Sequence, residues 1–383
     1  MQQRRPIVLT LALAICAAAV PTDARAQSSA DMEPVNDRPN PYRTVDDHFM
    51  MPIAEMPRAG EPGRTWGSMP AMDTGIDGTS IWVTERCGAN SCIGSEVPAV
   101  HRFDASGKLV TSFGAGMFAW PHGIHVDQKG NVWVTDGRSA TPEELEQFPD
   151  AADKGHTVFK FSPDGELLMT LGTPGIAGDP PDRLNEPCDV LIAPNGDILV
   201  AEGHSGQSQD PGPTVVSRIS RFTKDGAFID VIGTLGSGPG EFKTPHAIAF
   251  DSSGRLIVAD RGNDRIQILD QDGTYLDEWY QFSRPSGLFI DANDMLYVAD
   301  GESSPDFRDG GLRPVAGARW REWLRGIRIG SLRDGKVIYF IPEAEIAPEG
   351  VAVDAAGNVY GGEVLIGTYN SGKNQRLKKF VKR

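Results

Sequence analysis

The chain has no apolar run long enough to cross a bilayer as a helix. Its longest, residues 7–20, falls short of the roughly 20 residues a span needs. Positive charge is in short supply: 37 Lys+Arg face 52 Asp+Glu, for a net charge of −15. A surface so acidic argues against nucleic acid and anionic membranes as partners. Cysteine is scarce as well, with 4 in 383 residues, so this is no disulfide-dense mini-scaffold and stability must come from a packed core. Glycine and proline are abundant, at 44 and 28, and these residues punctuate short strands.

The first 26 residues read as a secretory leader. Arg4 and Arg5 precede the apolar run, and Ala24-Arg25-Ala26 supplies small residues at a cleavage position. The expected destination is outside the cytoplasm, periplasmic or secreted. Residues 27–383 carry 34 Lys+Arg against 51 Asp+Glu and keep three cysteines, Cys87, Cys92 and Cys188. Export permits a disulfide, and a bridge could close the short loop between Cys87 and Cys92. Cys188 is then left as a buried free thiol.

An internal repeat organises the rest. Segments 70–85, 121–136, 187–202, 245–260, 285–300 and 348–363 each run from a proline, through an apolar stretch and a Gly/Asn/Asp turn, to a second apolar run ending in Asp or Glu. Each reads as a hairpin, with strands at 123–126 and 132–135 in the second copy. Further strands follow at 158–161 and 167–171, joined by Ser162-Pro163-Asp164-Gly165, and recur at 266–269 and 275–279. Four antiparallel strands per unit and six units make a six-bladed, all-β propeller. Insertions at 138–157, 204–217 and 302 to about 332 all follow the terminal acid, which places them on one face of the disc. The last unit lacks a fourth strand, so the N-terminal segment is expected to complete it and remove the open edges. Arg64-Thr65-Trp66-Gly67 resembles the fourth-strand endings of other units. The expected organisation is a leader at 1–26, an extended lead-in at 27–57 and one propeller at 58–383.

The first strand of each blade lines the central channel, and the residue after each proline stands at its mouth: Ala71, His122, Cys188, His246, Ser286 and Glu349. His122, His246 and Glu349 come from alternate blades and converge on the axis. Two imidazoles and a carboxylate suit Zn²⁺ with an open position, with Fe²⁺ as the alternative. The six terminal acids share one repeat position and are expected to accept loop N–H groups. Arg86 and Arg261 follow two of those acids, on blades one and four, and should point over the metal, where guanidinium groups grip a carboxylate.

Trp-Pro-His-Gly-Ile-His-Val-Asp at 120–127, and Val-Ala-Asp-Arg-Gly-Asn-Asp-Arg-Ile-Gln at 258–267, resemble the NHL-repeat propellers. More narrowly, they are similar to the peptidyl-α-hydroxyglycine α-amidating lyases. That resemblance implies a zinc site on three channel histidines. Two fall on His122 and His246, and the third position holds Glu349. The family's arginines match Arg86 and Arg261, and its catalytic tyrosine falls on His204, which becomes the proposed base. An aspartate that serves a calcium site in the family is Gly350 here. The implied activity is metal-dependent C–N cleavage of a carbinolamide, releasing an amide and glyoxylate, with a carboxylate-bearing substrate of peptide origin. The rival readings are a lactonase or other metal-dependent hydrolase on the same disc, and a non-catalytic NHL binding platform.

Overall fold

A computed structural model describes residues 32–45, 47–49, 66–208, 211–303, 322–343, 347–364 and 377–383. The proposed leader and most of the third insertion lie outside these residues.

Six four-stranded antiparallel sheets form the blades. In blade two, Pro121–Val126, Val132–Asp136, Thr157–Phe161 and Leu167–Leu171 pair in sequence order. Blade four repeats this with Pro245–Phe250, Leu256–Asp260, Arg265–Leu269 and Tyr275–Trp279. The second strands of blades two, three and four are buried along their whole length, because blades stack face to face and cover both sides. The fourth strands form the outer rim and are largely open to solvent, as Leu167–Leu171 is, with only Leu171 buried. Asp127 to Gly130 shows how the hairpins turn. Gly130 N donates to Asp127 O at 2.8 Å, and Gly130 sits at φ +82°, a conformation that favours glycine.

The core is distributed rather than central. Six apolar clusters each fill the space between two neighbouring blades. One joins Trp82 and Val100 of blade one to Val134 and Phe161 of blade two. Each fully buried Val, Leu or Ile contributes roughly 1.5–3 kcal/mol, so the interfaces between blades hold most of the stability.

An N-terminal strand does close the ring, but it is Tyr42–Val45, inside the segment read as a lead-in. It pairs antiparallel with Leu377–Lys382, Tyr42 opposite Lys382. Trp66 and Gly67 form no strand. Gly67 N donates instead to the Glu85 carboxylate, which ties that segment to the hub of blade one.

The terminal acids do the expected work in blades one to five. Asp136 accepts from Ala119 N and Trp120 N at 2.9 and 2.5 Å, and Asp260 from Lys243 N at 2.7 Å. Glu85, Glu202 and Asp300 likewise accept loop N–H groups. Each anchors the loop that leads into or out of the channel face.

Candidate metal centre

The repeat aims side chains at the axis through a bulge. Pairing of the first and second strands slips between Pro121 and Ile124, between Pro245 and Ala247, and between Pro348 and Gly350. His122, His246 and Glu349 therefore occupy the extra position, where a bulge re-aims a side chain. All three are buried. Ala71, Cys188 and Ser286 share the remaining blades and line a small axial cavity of about 40 Å³ with the histidines.

Each imidazole is oriented by the next hub residue on the ring. His122 Nδ1 lies 2.7 Å from Cys188 O and His246 Nδ1 lies 3.0 Å from Ser286 O. A carbonyl only accepts, so Nδ1 carries the proton and Nε2 presents a lone pair. These Nε2 atoms stand 3.4 and 3.5 Å from the same Glu349 oxygen, and neither has a hydrogen-bond partner. Burial holds both imidazoles well below their usual pKa, and the nearby arginines push the same way. Burial also raises the pKa of the Glu349 carboxyl, against the pull of Arg261 and Arg86, and the two Nε2 lone pairs face its oxygen with no hydrogen bond formed. Leaving a buried acceptor unsatisfied costs about 1–3 kcal/mol, and a cation shared by all three removes that cost. The donor set fits zinc or ferrous iron.

His204 joins the cluster. It opens the short 3-10 turn His204–Gln207 after the second strand of blade three. Its ring centroid lies 5.2 Å from His122 and 5.5 Å from His246, and ligand nitrogens of the three histidines lie within 4.8 Å of one another. Its Nε2 is 3.0 Å from Arg261 Nη2. Burial, then Arg261 and Arg86, hold its pKa well below the usual value.

The two arginines sit in unlike surroundings. Arg86 Cζ stands over Trp120, 3.7 Å from the ring centroid, and its Nη1 donates to Asn90 Oδ1 at 2.6 Å. Its Nη2 is buried without a partner, and burial pushes its pKa down to about 9. Asn90 belongs to the loop closed by the Cys87–Cys92 disulfide. Arg261 is already committed: beyond His204, its Nη1 lies 3.6 Å from Glu302 and 3.9 Å from Glu349. Arg284 braces this side, donating to Arg261 O at 2.9 Å, to Glu302 at 2.5 Å and to Gln207 at 2.7 Å.

The sequence singled out His122, His246, Glu349, His204, Arg86 and Arg261, and the structure places them together at one mouth of the channel. The sequence did not single out Trp120, Asn90 and Arg284. Trp120 and Arg284, each directly before a repeat proline, had a positional signal; Asn90 had none. At 350, a Cβ would lie 3.0 Å from the Ala71 Cα, so a side chain there requires the first strands of blades six and one to part. Cys188 is a buried free thiol, as expected. Among the described residues, no helix is long and apolar enough to cross a membrane.

The NHL repeat family model matches residues 242–269. The human NHL repeat-containing protein 3 is 32% identical over 192 residues, which cover 49% of this chain and 49% of that protein. The Drosophila melanogaster peptidyl-alpha-hydroxyglycine alpha-amidating lyase 1 is 29% identical over 189 residues, covering 46% of this chain and 30% of that protein. The match to the human relative thus spans about half of its length. A solved gluconolactonase from Xanthomonas campestris superposes with a TM-score of 0.52 at 16% identity, covering 90% of this chain and 99% of that one, a likeness of fold. The chain is a six-bladed β-propeller with an NHL repeat, and over part of its length it is similar to the peptidyl-α-hydroxyglycine α-amidating lyases.

Proposed function

We propose that the histidine cluster is the metal centre of a lyase that cleaves the C–N bond of a carbinolamide such as a peptidyl-α-hydroxyglycine. The observation that carries this reading is the pair of buried, unpartnered Nε2 atoms on His122 and His246 facing the Glu349 carboxylate, beside an arginine with a free buried donor. His122, His246 and Glu349 would hold Zn²⁺, with Fe²⁺ as the alternative. The ion would supply Lewis acidity at the carbinol oxygen.

The chain's own groups account for the rest. Arg86 presents Nη2 to the substrate carboxylate, and Trp120 backs its guanidinium. Arg261 takes the second carboxylate oxygen, which draws it off His204 Nε2. That neutral nitrogen accepts the hydroxyl proton and returns it to the amide nitrogen as the C–N bond breaks. The products are a primary amide and glyoxylate. The relatives named as amidating lyases and the buried carboxylate grip both support this substrate class, and the disulfide suits an exported protein.

The nearness of His204 to His122 and His246 favours a second assignment of the ligands, with His204 as a third imidazole. Elemental analysis beside turnover of an N-acyl-α-hydroxyglycine separates the cases. The proposal expects about one metal ion per chain, lost in His122→Ala/His246→Ala together with turnover. His204→Ala that keeps its metal but loses turnover identifies a base; loss of both identifies a ligand. A metal-free wild-type protein that resists reconstitution removes the lyase reading and leaves a binding propeller.

A further inference from the structure

The face of the disc opposite the histidines carries a second cavity that this chemistry leaves unused. It lies between blades two and three and has a volume of about 370 Å³, within the range of sites for small organic ligands. Val126, Ile192 and Pro194 give it an apolar wall, and Lys129, Lys160 and Lys224 stand around it.

Its one lining carboxylate, Asp127, is fully engaged. Oδ1 accepts from Lys129 N and Asn131 N at 2.9 and 3.0 Å, and Oδ2 from Asn131 Nδ2 and Trp133 Nε1 at 2.8 and 3.1 Å. Lys224 pairs with its exposed neighbour Asp225 at 2.6 Å. Lys160 Nζ rests 4.8 Å from the Trp133 ring centroid, and among the described residues neither it nor Lys129 pairs with a carboxylate. In a chain of net charge −15, a hollow with an apolar wall, three lysines and a single carboxylate in its lining reverses the prevailing sign. A local positive field beside an apolar wall selects anions that also carry an apolar body.

We infer that this pocket binds a small organic anion, its carboxylate held by Lys129 and Lys160 and its apolar body laid against Val126, Ile192 and Pro194. This site is independent of the reading of the histidine cluster. The lysines offer point charges rather than planar forks, so the site recognises charge plus shape and tolerates different acid groups.

A matched pair of probes tests it: naphthalene-2-carboxylate and naphthalene-2-carboxamide, titrated calorimetrically into the intact protein. The carboxylate is expected to bind at one site at least about tenfold more tightly than the amide. Lys129→Glu/Lys160→Glu is expected to weaken carboxylate binding by at least about tenfold while the amide is unaffected, with an unchanged far-UV spectrum showing that the variant is folded. Lys336→Glu, an exposed lysine of blade five, should change nothing. Equal affinity for both probes, undiminished carboxylate binding in the double variant, or an equal loss in Lys336→Glu overturns the inference.

Discussion

The arginines at the channel mouth are equivalent in the repeat and unequal in their surroundings. Arg86 has a buried donor with no partner, whereas Arg261 is held among His204, Glu302 and Glu349. Arg86→Lys should therefore raise KM roughly tenfold with kcat little changed, since lysine lacks the fork that grips a carboxylate. Arg261→Lys should lower kcat instead; steady-state kinetics of the two variants separates the roles. Glu302 carries a pH signature. Burial pushes its carboxyl up, but Arg284 and then Arg261 outweigh burial and hold it down to about 2, against an ordinary 4.5. A folded-state pKa below the unfolded one stabilises above about pH 4.5 and loses that contribution as pH falls toward 2. Glu302→Gln should accordingly be less stable than wild type at pH 7, with the gap narrowing below pH 4.5 in urea titrations. Residues that share a repeat position were legible from spacing alone, because the period itself places His122, His246 and Glu349 together. Asn90 was not, because it reaches Arg86 across a loop that no period encodes; Arg284 stands directly before a repeat proline, but its partners Glu302 and Gln207 lie in insertions outside the period.

At the scale of the element, the hairpins were readable because the Asp-x-x-Gly turn recurs with its glycine at positive φ. The closing strand was not. Tyr42–Val45 turns one buried side chain inward and leaves the next two exposed, too little pattern to mark a strand, whereas Trp66-Gly67 copies the look of one while serving the hub of blade one. What Tyr42–Val45 contributes is concentrated in Tyr42, which packs with Ile341, Val353 and Phe380 between blades five and six. Tyr42→Ala should cost about 3 kcal/mol, read as a lower denaturation midpoint at unchanged m-value. An unchanged midpoint would show that this strand is not what holds the last blade.

The whole molecule is a ring of six apolar interfaces between blades with one seam. Every other blade has its strands joined by continuous chain, while blade six is completed by a strand from the far end of the sequence. The seam should open first: in hydrogen exchange followed by mass spectrometry, Leu377–Lys382 should exchange faster than its counterparts Thr157–Phe161 and Arg265–Leu269. Uniform protection across the three would mean that the ring yields as one body. Tyr42 pairs with Lys382, and Arg383 N reaches Pro41 O at 2.8 Å, which bears on how the protein is made. The ribosome delivers Tyr42–Val45 before the other strands of all six blades and Leu377–Lys382 after the rest of them. Until then the disc is an open arc whose first blade has no neighbour on one flank. The interval during which holdases and proteases can reach that flank is therefore set by the time needed to synthesise and move the chain, however quickly any single blade folds.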